Sequence, residues 1–291
     1  MQPKPKQRTI AIVYDFDGTL TPKAMQEYTV LPDLNVSKAK QFWKEMDEGR
    51  KKTGSDKDLY WMHEILRRAE GVDKPINRKY FVDQGSKIKY YPGVAKYFNH
   101  IKSYMQKKAG KSIIVKHYIV SSGLKEILDG VSIKKYFTGI YGSEFHYDKY
   151  SKPVFVKNVI NDTMKTQYLF RINKGKEELS ESINSYMPEE NRPIPFNHII
   201  YVGDGLTDVP AMNVTKKNGG YAIAVYKPRD RKGKNTCKEL LEAGRVHFIS
   251  KADYTADSNL VSTIKMLLVL IANNIRFEDY RKWAYQHHLK G

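Results

Sequence analysis

The stretch IAIVYDFDGTLT, residues 10–21, determines how the rest of the chain is interpreted. It begins with a short apolar run, residues 10–14, rich in β-branched side chains and typical of a strand buried on both faces. Two carboxylates, Asp15 and Asp17, follow directly. Packing explains them poorly, because a buried carboxylate must be paired or must bind a metal ion. The alternative is an ordinary strand followed by an Asx-type turn, since Asp and Gly are common turn residues.

The composition is that of a globular protein with a real core, since 41% of the 291 residues are hydrophobic and 28% are charged. The longest apolar run, residues 266–272, is far shorter than the roughly 18 residues that span a bilayer, so we expect no membrane partner. No apolar signal region precedes the first strand, and from this we expect a cytoplasmic protein. Cys237 is the only cysteine, which excludes an internal disulfide and a cysteine-based zinc site.

The formal net charge of +18 raises nucleic acid, anionic membranes and anionic small molecules as partners. The excess is concentrated in residues 91–176, which hold 16 Lys and Arg against 5 Asp and Glu. This excess of positive charge consists mostly of scattered lysines, not of an arginine-rich stripe interleaved with aromatic residues. The pattern therefore does not indicate sequence-specific binding of nucleic acid. A solvated lysine surface and an anion-attracting field around a phosphate site are the two explanations left open.

Residues 23–90 differ from the rest of the chain because their pattern is mostly helical. Apolar residues recur there at three- and four-residue steps in two stretches, and Ser55 or Asp56 is placed to cap the second helix. We predict that this segment is a small α-helical domain inserted after the first strand. The core domain then comprises residues 1–22 and 91–291.

Within the core, strand patterns alternate with helical patterns. Beyond the first strand, short apolar runs predict strands at residues 117–120, 139–141, 198–202, 221–225 and 247–249. This alternation predicts an α/β fold with a Rossmann-like parallel sheet and right-handed crossovers. Residues 146–156 predict a surface hairpin, and residues 260–275 predict a long helix with one apolar face.

Three of the predicted strands end in polar residues, and a helix start adds a lysine. In chain order these residues are Asp15 and Asp17, Ser121, Lys165, and Asp204 with Asp208. In an open α/β sheet, ligands bind beyond the carboxyl ends of the strands, so we expect these side chains to converge. Converging carboxylates repel one another unless a cation lies among them, and oxygen-only ligands favour Mg²⁺. A hydroxyl and a lysine beside them suit a phosphate group.

With these residues in place, the sequence resembles the haloacid dehalogenase-like (HAD) hydrolases, with four motifs in order. The matching segments are DFDGTLT at residues 15–21, YIVSSG at 118–123, MKT at 164–166 and GDGLTD at 203–208. The third motif depends on Lys165 alone, and Lys157 is an alternative for it. The resemblance implies the HAD fold for the core and a helical type-one cap for the insert.

The resemblance also implies roles for the residues that match the motifs. Asp15 is the implied nucleophile, which forms an aspartyl-phosphate, and Asp17 is the implied general acid and base. The implied phosphate-binding residues are Ser121, Ser122 and Lys165. The implied Mg²⁺ ligands are the Asp15 side chain, the Asp17 main-chain carbonyl, Asp204, and Asp208 either directly or through water.

The position two residues after the nucleophile separates branches of the family. Phosphatases and phosphomutases carry an aspartate there, whereas dehalogenases and P-type ATPases do not, so Asp17 favours phosphoester hydrolysis. Serine-phosphate phosphatases carry a glutamate some nine residues after the nucleophile. Ala24 occupies that position here and Glu27 lies further on, so phosphoserine is not favoured as the substrate.

The sequence therefore predicts a Mg²⁺-dependent phosphatase acting on a small phosphorylated metabolite. One alternative is a phosphotransferase or phosphomutase, in which the phosphoryl group passes to a second hydroxyl. Another is a nucleic-acid-binding or nucleic-acid end-processing protein on the same fold. The cap residues that could face the site are Tyr28, Trp43, Trp61, His63 and Arg67, and each of them fits a core or surface position equally well.

Overall fold

The structure is a computed structural model that describes residues 7–72 and 76–288. The predicted domain ranges also include residues 1–6, 73–75 and 289–291, which lie outside the described residues. The predictions about the extreme N-terminus therefore have no structural counterpart here.

The described part of the chain forms one seven-stranded sheet. Its strands are β1 (Thr9–Tyr14), β2 (Ile114–Leu124), β3 (Gly139–Tyr147), β4 (Pro153–Asn158), β5 (Ile199–Gly203), β6 (Tyr221–Tyr226) and β7 (Phe248–Lys251). They lie in the order β4-β3-β2-β1-β5-β6-β7. All neighbours pair in parallel except β3 and β4, which form the predicted antiparallel hairpin. The predicted α/β class with a Rossmann-like sheet is confirmed.

Strand β1 lies in the middle of the sheet, between β2 and β5. Its side chains alternate between two separate cores: Ile10, Ile12 and Tyr14 contribute to one, and Ala11 and Val13 to the other. A strand covered on both faces must be apolar throughout, which is why residues 10–14 form an unbroken apolar run. The chain continues from β1 to β2 on one side and later returns to β5 on the other. A crevice forms at such a reversal of strand order.

Eleven α-helices are present in the described residues, and five of them lie between β1 and β2 in the segment predicted as the cap. These are α1 (Met25–Tyr28), α2 (Val30–Asp33), α3 (Ala39–Thr53), α4 (Lys57–Glu70) and α5 (Arg78–Gln84). Asp56, not Ser55, caps α4, since its carboxylate accepts hydrogen bonds from the main-chain N–H groups of Asp58 and Leu59. The division into cap and core domains stays a prediction, but inserted helices do follow β1 directly.

The remaining helices cover the two faces of the sheet. They are α6 (Val94–Ala109), α7 (Lys125–Asp129), α8 (Met164–Lys174), α9 (Val209–Lys217), α10 (Arg231–Glu242) and α11 (Asn259–His288). The register of parallel strands brings Tyr14 beside Ile119 of β2 and Val202 of β5. The loops after these three strands therefore start at the same edge of the sheet.

Helix α11 is much longer than the predicted 260–275 helix. By length and composition, Asn259–His287 is the one helix in the described residues that could cross a membrane, with a window of mean hydropathy 1.5 that is 44% buried. The run-length argument from the sequence did not anticipate this. Core helices meet the same criterion, and the inner face of α11 packs into the core through Leu260, Ile264 and Leu268. The helix therefore indicates no membrane by itself.

Candidate active site

Lys165 links two carboxylates at the carboxyl edge of the sheet. Its Nζ atom donates to Asp15 Oδ1 and to Asp208 Oδ1, and each distance is 2.7 Å. Lys165 reaches them from the first turn of α8, while Asp15 follows β1 and Asp208 precedes α9. All three side chains are almost completely buried, with Lys165 at 1% exposure. The fold thus places a triad of buried charges at the predicted crevice.

Asp208 is held in place by further hydrogen bonds. The Tyr201 hydroxyl donates to its Oδ1 atom at 2.7 Å, and the main-chain N–H of Asp204 donates to its Oδ2 atom at 3.0 Å. Both partners belong to β5 and the loop that follows it. The GDGLTD segment therefore fixes one of its own carboxylates, Asp208, while an oxygen of Asp204 lies within 4.8 Å of Asp15.

Asp17 lies in the loop after β1, at the start of the inserted helices. Its Oδ1 atom accepts a hydrogen bond from the main-chain N–H of Met25 at 2.8 Å. Between the two aspartates and α1, Gly18 has φ +80°, and a Cβ atom there would lie 1.9 Å from Asp204 Oδ2. Only glycine fits, because a side chain would both strain the backbone and clash with the carboxylate. Thr19, also buried, directs its hydroxyl toward Asp15 Oδ2 at 3.4 Å.

The electrostatics reflect this crowding of carboxylates. Burial raises the pKa of Asp15 to about 6, although Lys165 acts in the opposite direction. Burial, together with the charge of Asp15, raises the pKa values of Asp17 and Asp204 well above their ordinary range. Burial alone would lower the pKa of Lys165, but Asp15 and Asp208 raise it, so the ammonium group stays charged.

Ser121 and Ser122 lie near the end of β2, where the register with β3 shifts between Val120 and Leu124. The buried Ser121 Oγ accepts a hydrogen bond from the main-chain N–H of Gly123 at 3.0 Å, and the Ser122 carbonyl accepts one from Ser143. The register with β1 places Ser121 beside the loop that begins at Asp15. Both serines therefore lie at the same edge as the carboxylates.

The two candidate motif-three lysines have different surroundings. Lys165 contacts Asp15 and Asp208, as described above. Lys157 lies on β4, with its side chain 49% exposed, and pairs with Glu144 at 3.0 Å. The structure brings Lys165, not Lys157, to the carboxylates.

The carboxylates form an acidic cluster consistent with a Mg²⁺ site. One oxygen from each of Asp15, Asp204 and Asp208 lies within 4.8 Å of the other two. Two oxygens on opposite sides of an octahedral Mg²⁺ are about 4.2 Å apart, so small adjustments would complete the site. Lys165 supplies one positive charge against these three carboxylates, which leaves room for a divalent cation. The Asp17 carboxylate is not part of this group, and its predicted contribution is through the main-chain carbonyl.

Comparison with known proteins identifies the family. The model of the haloacid dehalogenase-like hydrolases matches residues 12–213, more than two thirds of the chain. The chain belongs to the HAD hydrolase family. A Borreliella burgdorferi protein described as uncharacterized is 29% identical over 283 residues, which cover 89% of this chain and 96% of that protein.

Solved structures share the fold of this HAD hydrolase. A HAD family hydrolase of Salmonella enterica serovar Typhi is 17% identical, with a TM-score of 0.54 over 86% of this chain and 68% of that one. A phosphoserine phosphatase, solved as a phospho-aspartyl intermediate analogue, is 15% identical, with a TM-score of 0.51 over 89% of this chain and 99% of that one. At these identities the similarity shows the fold and not the substrate.

The sequence analysis did not name two residues, Thr19 and Tyr201, that contact the carboxylates of this site. Thr19 and Tyr201 contact Asp15 and Asp208 respectively, as described above. Thr19 lies within the DFDGTLT motif, and a hydroxyl four residues after Asp15 could have been recognised from the sequence. Tyr201 was not visible as a site residue, because a tyrosine in an apolar strand is indistinguishable from a packing residue until its neighbours are known.

The cap residues named as candidates separate into two groups. Trp43 and Trp61 line a cavity that also contains Asp17. His63 is exposed, Arg67 pairs with Glu64 on its own helix, and the half-buried ring of Tyr28 lies against Lys23. Trp43 and Trp61 thus line this cavity together with Asp17, while burial and the charges of Glu27 and the nearby Asp17 raise the pKa of Tyr28 to about 12.

Proposed function

We propose that this HAD hydrolase is a Mg²⁺-dependent phosphatase that acts through an aspartyl-phosphate on Asp15. The observation that carries the proposal is the buried Asp15 carboxylate, oriented by the Lys165 ammonium at 2.7 Å, with Asp17 two residues further along the same loop. A nucleophile needs an unprotonated carboxylate, and the paired lysine favours that form.

In the first step, a carboxylate oxygen of Asp15 forms a bond to phosphorus while the bond from phosphorus to the ester oxygen breaks. Asp17 donates its proton to that leaving oxygen. The raised pKa of Asp17 supports this role, because the carboxyl must hold a proton before it can act as an acid. The Met25 N–H fixes the carboxyl in one orientation.

In the second step, Asp17 takes a proton from water, and the water oxygen attacks phosphorus. The bond between phosphorus and Asp15 breaks, which regenerates the carboxylate and releases inorganic phosphate. Splitting one displacement into two in this way is the advantage of a covalent intermediate.

The phosphoryl oxygens need positive charge and hydrogen-bond donors. The donors proposed for them are Lys165 Nζ and the hydroxyls of Ser121, Ser122 and Thr19, which lie at this edge of the sheet. Donors that are fixed before the reaction stabilise the charge that develops in the transition state. Asp15, Asp204, Asp208 and the Asp17 carbonyl would hold Mg²⁺, which when bound screens the carboxylate from the anionic substrate.

The test is release of inorganic phosphate from p-nitrophenyl phosphate and a panel of phosphorylated metabolites, with Mg²⁺ and with EDTA. We expect release with Mg²⁺, loss in EDTA and recovery when Mg²⁺ is restored. A phosphomutase would instead release little phosphate and isomerise a sugar phosphate. A nucleic-acid end phosphatase would prefer 5′- or 3′-phosphorylated oligonucleotides over every metabolite. Undiminished activity in EDTA would contradict the proposed site.

A further inference from the structure

A cavity of about 300 Å³ lies where the inserted helices meet the edge of the sheet, and we refer to it as the cap cavity. Its core wall includes Asp17 and Ser122, and its cap wall includes Trp43, Trp61 and Asp58. Asp17 belongs to both the cap cavity and the catalytic loop. The part of a substrate beyond its ester oxygen would therefore enter the cap cavity.

Two neighbouring tryptophan residues, Trp43 and Trp61, line the cap cavity. The ring centroids of Trp43 and Trp61 are 6.3 Å apart, and the ring planes are 79° apart. Each indole N–H is already used, because Trp43 donates to Glu27 Oε1 at 3.4 Å and Trp61 to Asp58 Oδ1 at 2.9 Å. What the two rings can offer a ligand is their π-electron density, which attracts cations.

Asp58 adds a buried negative charge to the same wall. It is 5% exposed, and no ammonium or guanidinium group of the described residues lies within ion-pair distance of it. Burial raises the pKa of Asp58, although the Trp61 hydrogen bond and the charge of Lys57 act in the opposite direction, so a further positively charged group would be favourable there. Asp47, which also lines the cap cavity, is by contrast already paired with Arg50 and Lys51.

Gln26 supplies a second polar group without a partner. Its side chain lines the cap cavity and is 3% exposed, and its Oε1 atom accepts no hydrogen bond from any described residue. A buried acceptor without a donor is rare in native structures and calls for an explanation. Lys57 is the one cationic side chain in the described wall of the cap cavity, and it is exposed to solvent.

From the two rings, the Asp58 carboxylate without an ion pair and the Gln26 acceptor without a donor, we infer that the cap cavity binds an ammonium group. The substrate class is then a phosphate monoester of an amino alcohol, with its phosphate at Asp15 and its cationic end between Trp43, Trp61 and Asp58. This inference rests on the proposed phosphatase function and names the substrate class of that same site.

The experiment compares esters that differ only in charge. Phosphocholine is paired with 3,3-dimethylbutyl phosphate, in which carbon replaces the quaternary nitrogen, and O-phosphoethanolamine with n-propyl phosphate. We expect kcat/KM to be at least about tenfold higher for the cationic member of at least one pair, which corresponds to about 1.4 kcal/mol and is within the strength of a desolvated cation–π contact. Equal or lower values for both cationic esters would overturn the inference.

Two variants locate the effect. Asp58→Asn removes the charge with little change in shape, and Trp43→Leu removes one ring. Each is expected to bring the ratio of kcat/KM between the cationic and neutral esters down by about fivefold or more, whatever its effect on the absolute rates. The matched control is Glu48→Gln, which removes an exposed carboxylate of α3 outside the cap cavity and should leave the ratio unchanged.

Failure of the inference and failure of the proposed function give different results. Turnover of p-nitrophenyl phosphate without a preference for the cationic esters would overturn the inference alone. Should no ester be hydrolysed, the proposed function fails, and calorimetric binding of phosphocholine against its neutral analogue still tests the cap cavity. Tighter binding of phosphocholine would then support the inference, and equal or weaker binding would overturn it.

Discussion

Tyr14 and Asp15 are neighbours in sequence, yet they belong to two different buried polar clusters. The groups around Tyr14 are uncharged, whereas those around Asp15 are mostly carboxylates. The Tyr14 hydroxyl lies 2.9 Å from the Tyr97 hydroxyl and 3.1 Å from His117 Nδ1. Burial lowers the pKa of His117 to about 3 and raises the pKa of Tyr14, so this cluster is uncharged at neutral pH. Around Asp15, in contrast, carboxylates outnumber the single ammonium group of Lys165.

The difference shows what each cluster can do. Neutral donors and acceptors can satisfy one another completely, and the result is a rigid part of the core. An excess of buried carboxylates cannot be satisfied internally and gains from a bound cation or a proton. We therefore assign stability to the Tyr14 cluster and chemistry to the Asp15 cluster, and each assignment can be tested separately.

The largest expected effect is that of Asp15→Asn on turnover. The amide has nearly the same shape but cannot form the aspartyl-phosphate, so we expect kcat for p-nitrophenyl phosphate to fall at least about 10⁴-fold. Circular dichroism should show an unchanged fold. Retained turnover in a folded variant would remove Asp15 from the role of nucleophile.

Lys165→Met, with Lys157→Met as its matched control, tests the charged cluster next. Loss of Lys165 removes a proposed phosphate donor and the ion-pair partner of Asp15 and Asp208. We expect kcat/KM to fall about 10²- to 10³-fold and the free energy of unfolding in EDTA to fall by about 3 kcal/mol. The exposed pair of Lys157 should contribute less than about 1 kcal/mol. Similar results for the two lysines would contradict the assignment of motif three.

Because His117 of the Tyr14 cluster is buried, we expect the stability of the protein to depend on pH. The pKa of His117 is about 3 in the folded protein and about 6.5 in the unfolded chain, so only the unfolded chain is protonated between these values. Stability is therefore lost as the pH falls below about 6.5. Relative to His117→Gln, the wild type should lose about 1.2 kcal/mol between pH 6 and pH 5.

Denaturant unfolding at several pH values measures the difference in the free energy of unfolding between the wild type and His117→Gln. This difference should be constant above about pH 7.5, where histidine is neutral in both the folded and the unfolded state. The control variant His63→Gln changes an exposed histidine of α4 and should follow the wild-type curve. A constant difference between the wild type and His117→Gln from pH 5 to pH 8 would show that His117 is not held neutral.

The smallest expected effect is that of Tyr14→Phe. The substitution removes the hydroxyl shared by Tyr97 and His117, and we expect the free energy of unfolding to fall by about 1–2 kcal/mol. Turnover of p-nitrophenyl phosphate should stay within about twofold of the wild type, measured well below the midpoint of unfolding. A large loss of activity without a loss of stability would show that the two clusters act together.

Much of the fold was predictable from local pattern. The unbroken apolar run of residues 10–14 indicated a strand covered on both faces, and the alternation of strands and helices indicated a parallel sheet. Helix α11 was underestimated, because its last three turns carry exposed aromatic and charged residues, such as Tyr280 and Arg281, without an apolar face. A helix without an amphipathic pattern gives no periodic signal.

The sequence by itself determined the family, the sheet and the residues of motifs one, two and four, since these depend on order and spacing along the chain. Only the tertiary structure decided that Lys165 contacts Asp15, that Tyr201 holds Asp208, and that Trp43 and Trp61 line one cavity with Asp17. These are contacts between residues far apart in the chain or on neighbouring elements. Their geometry follows from how strands and helices pack, and no periodicity in the sequence encodes it.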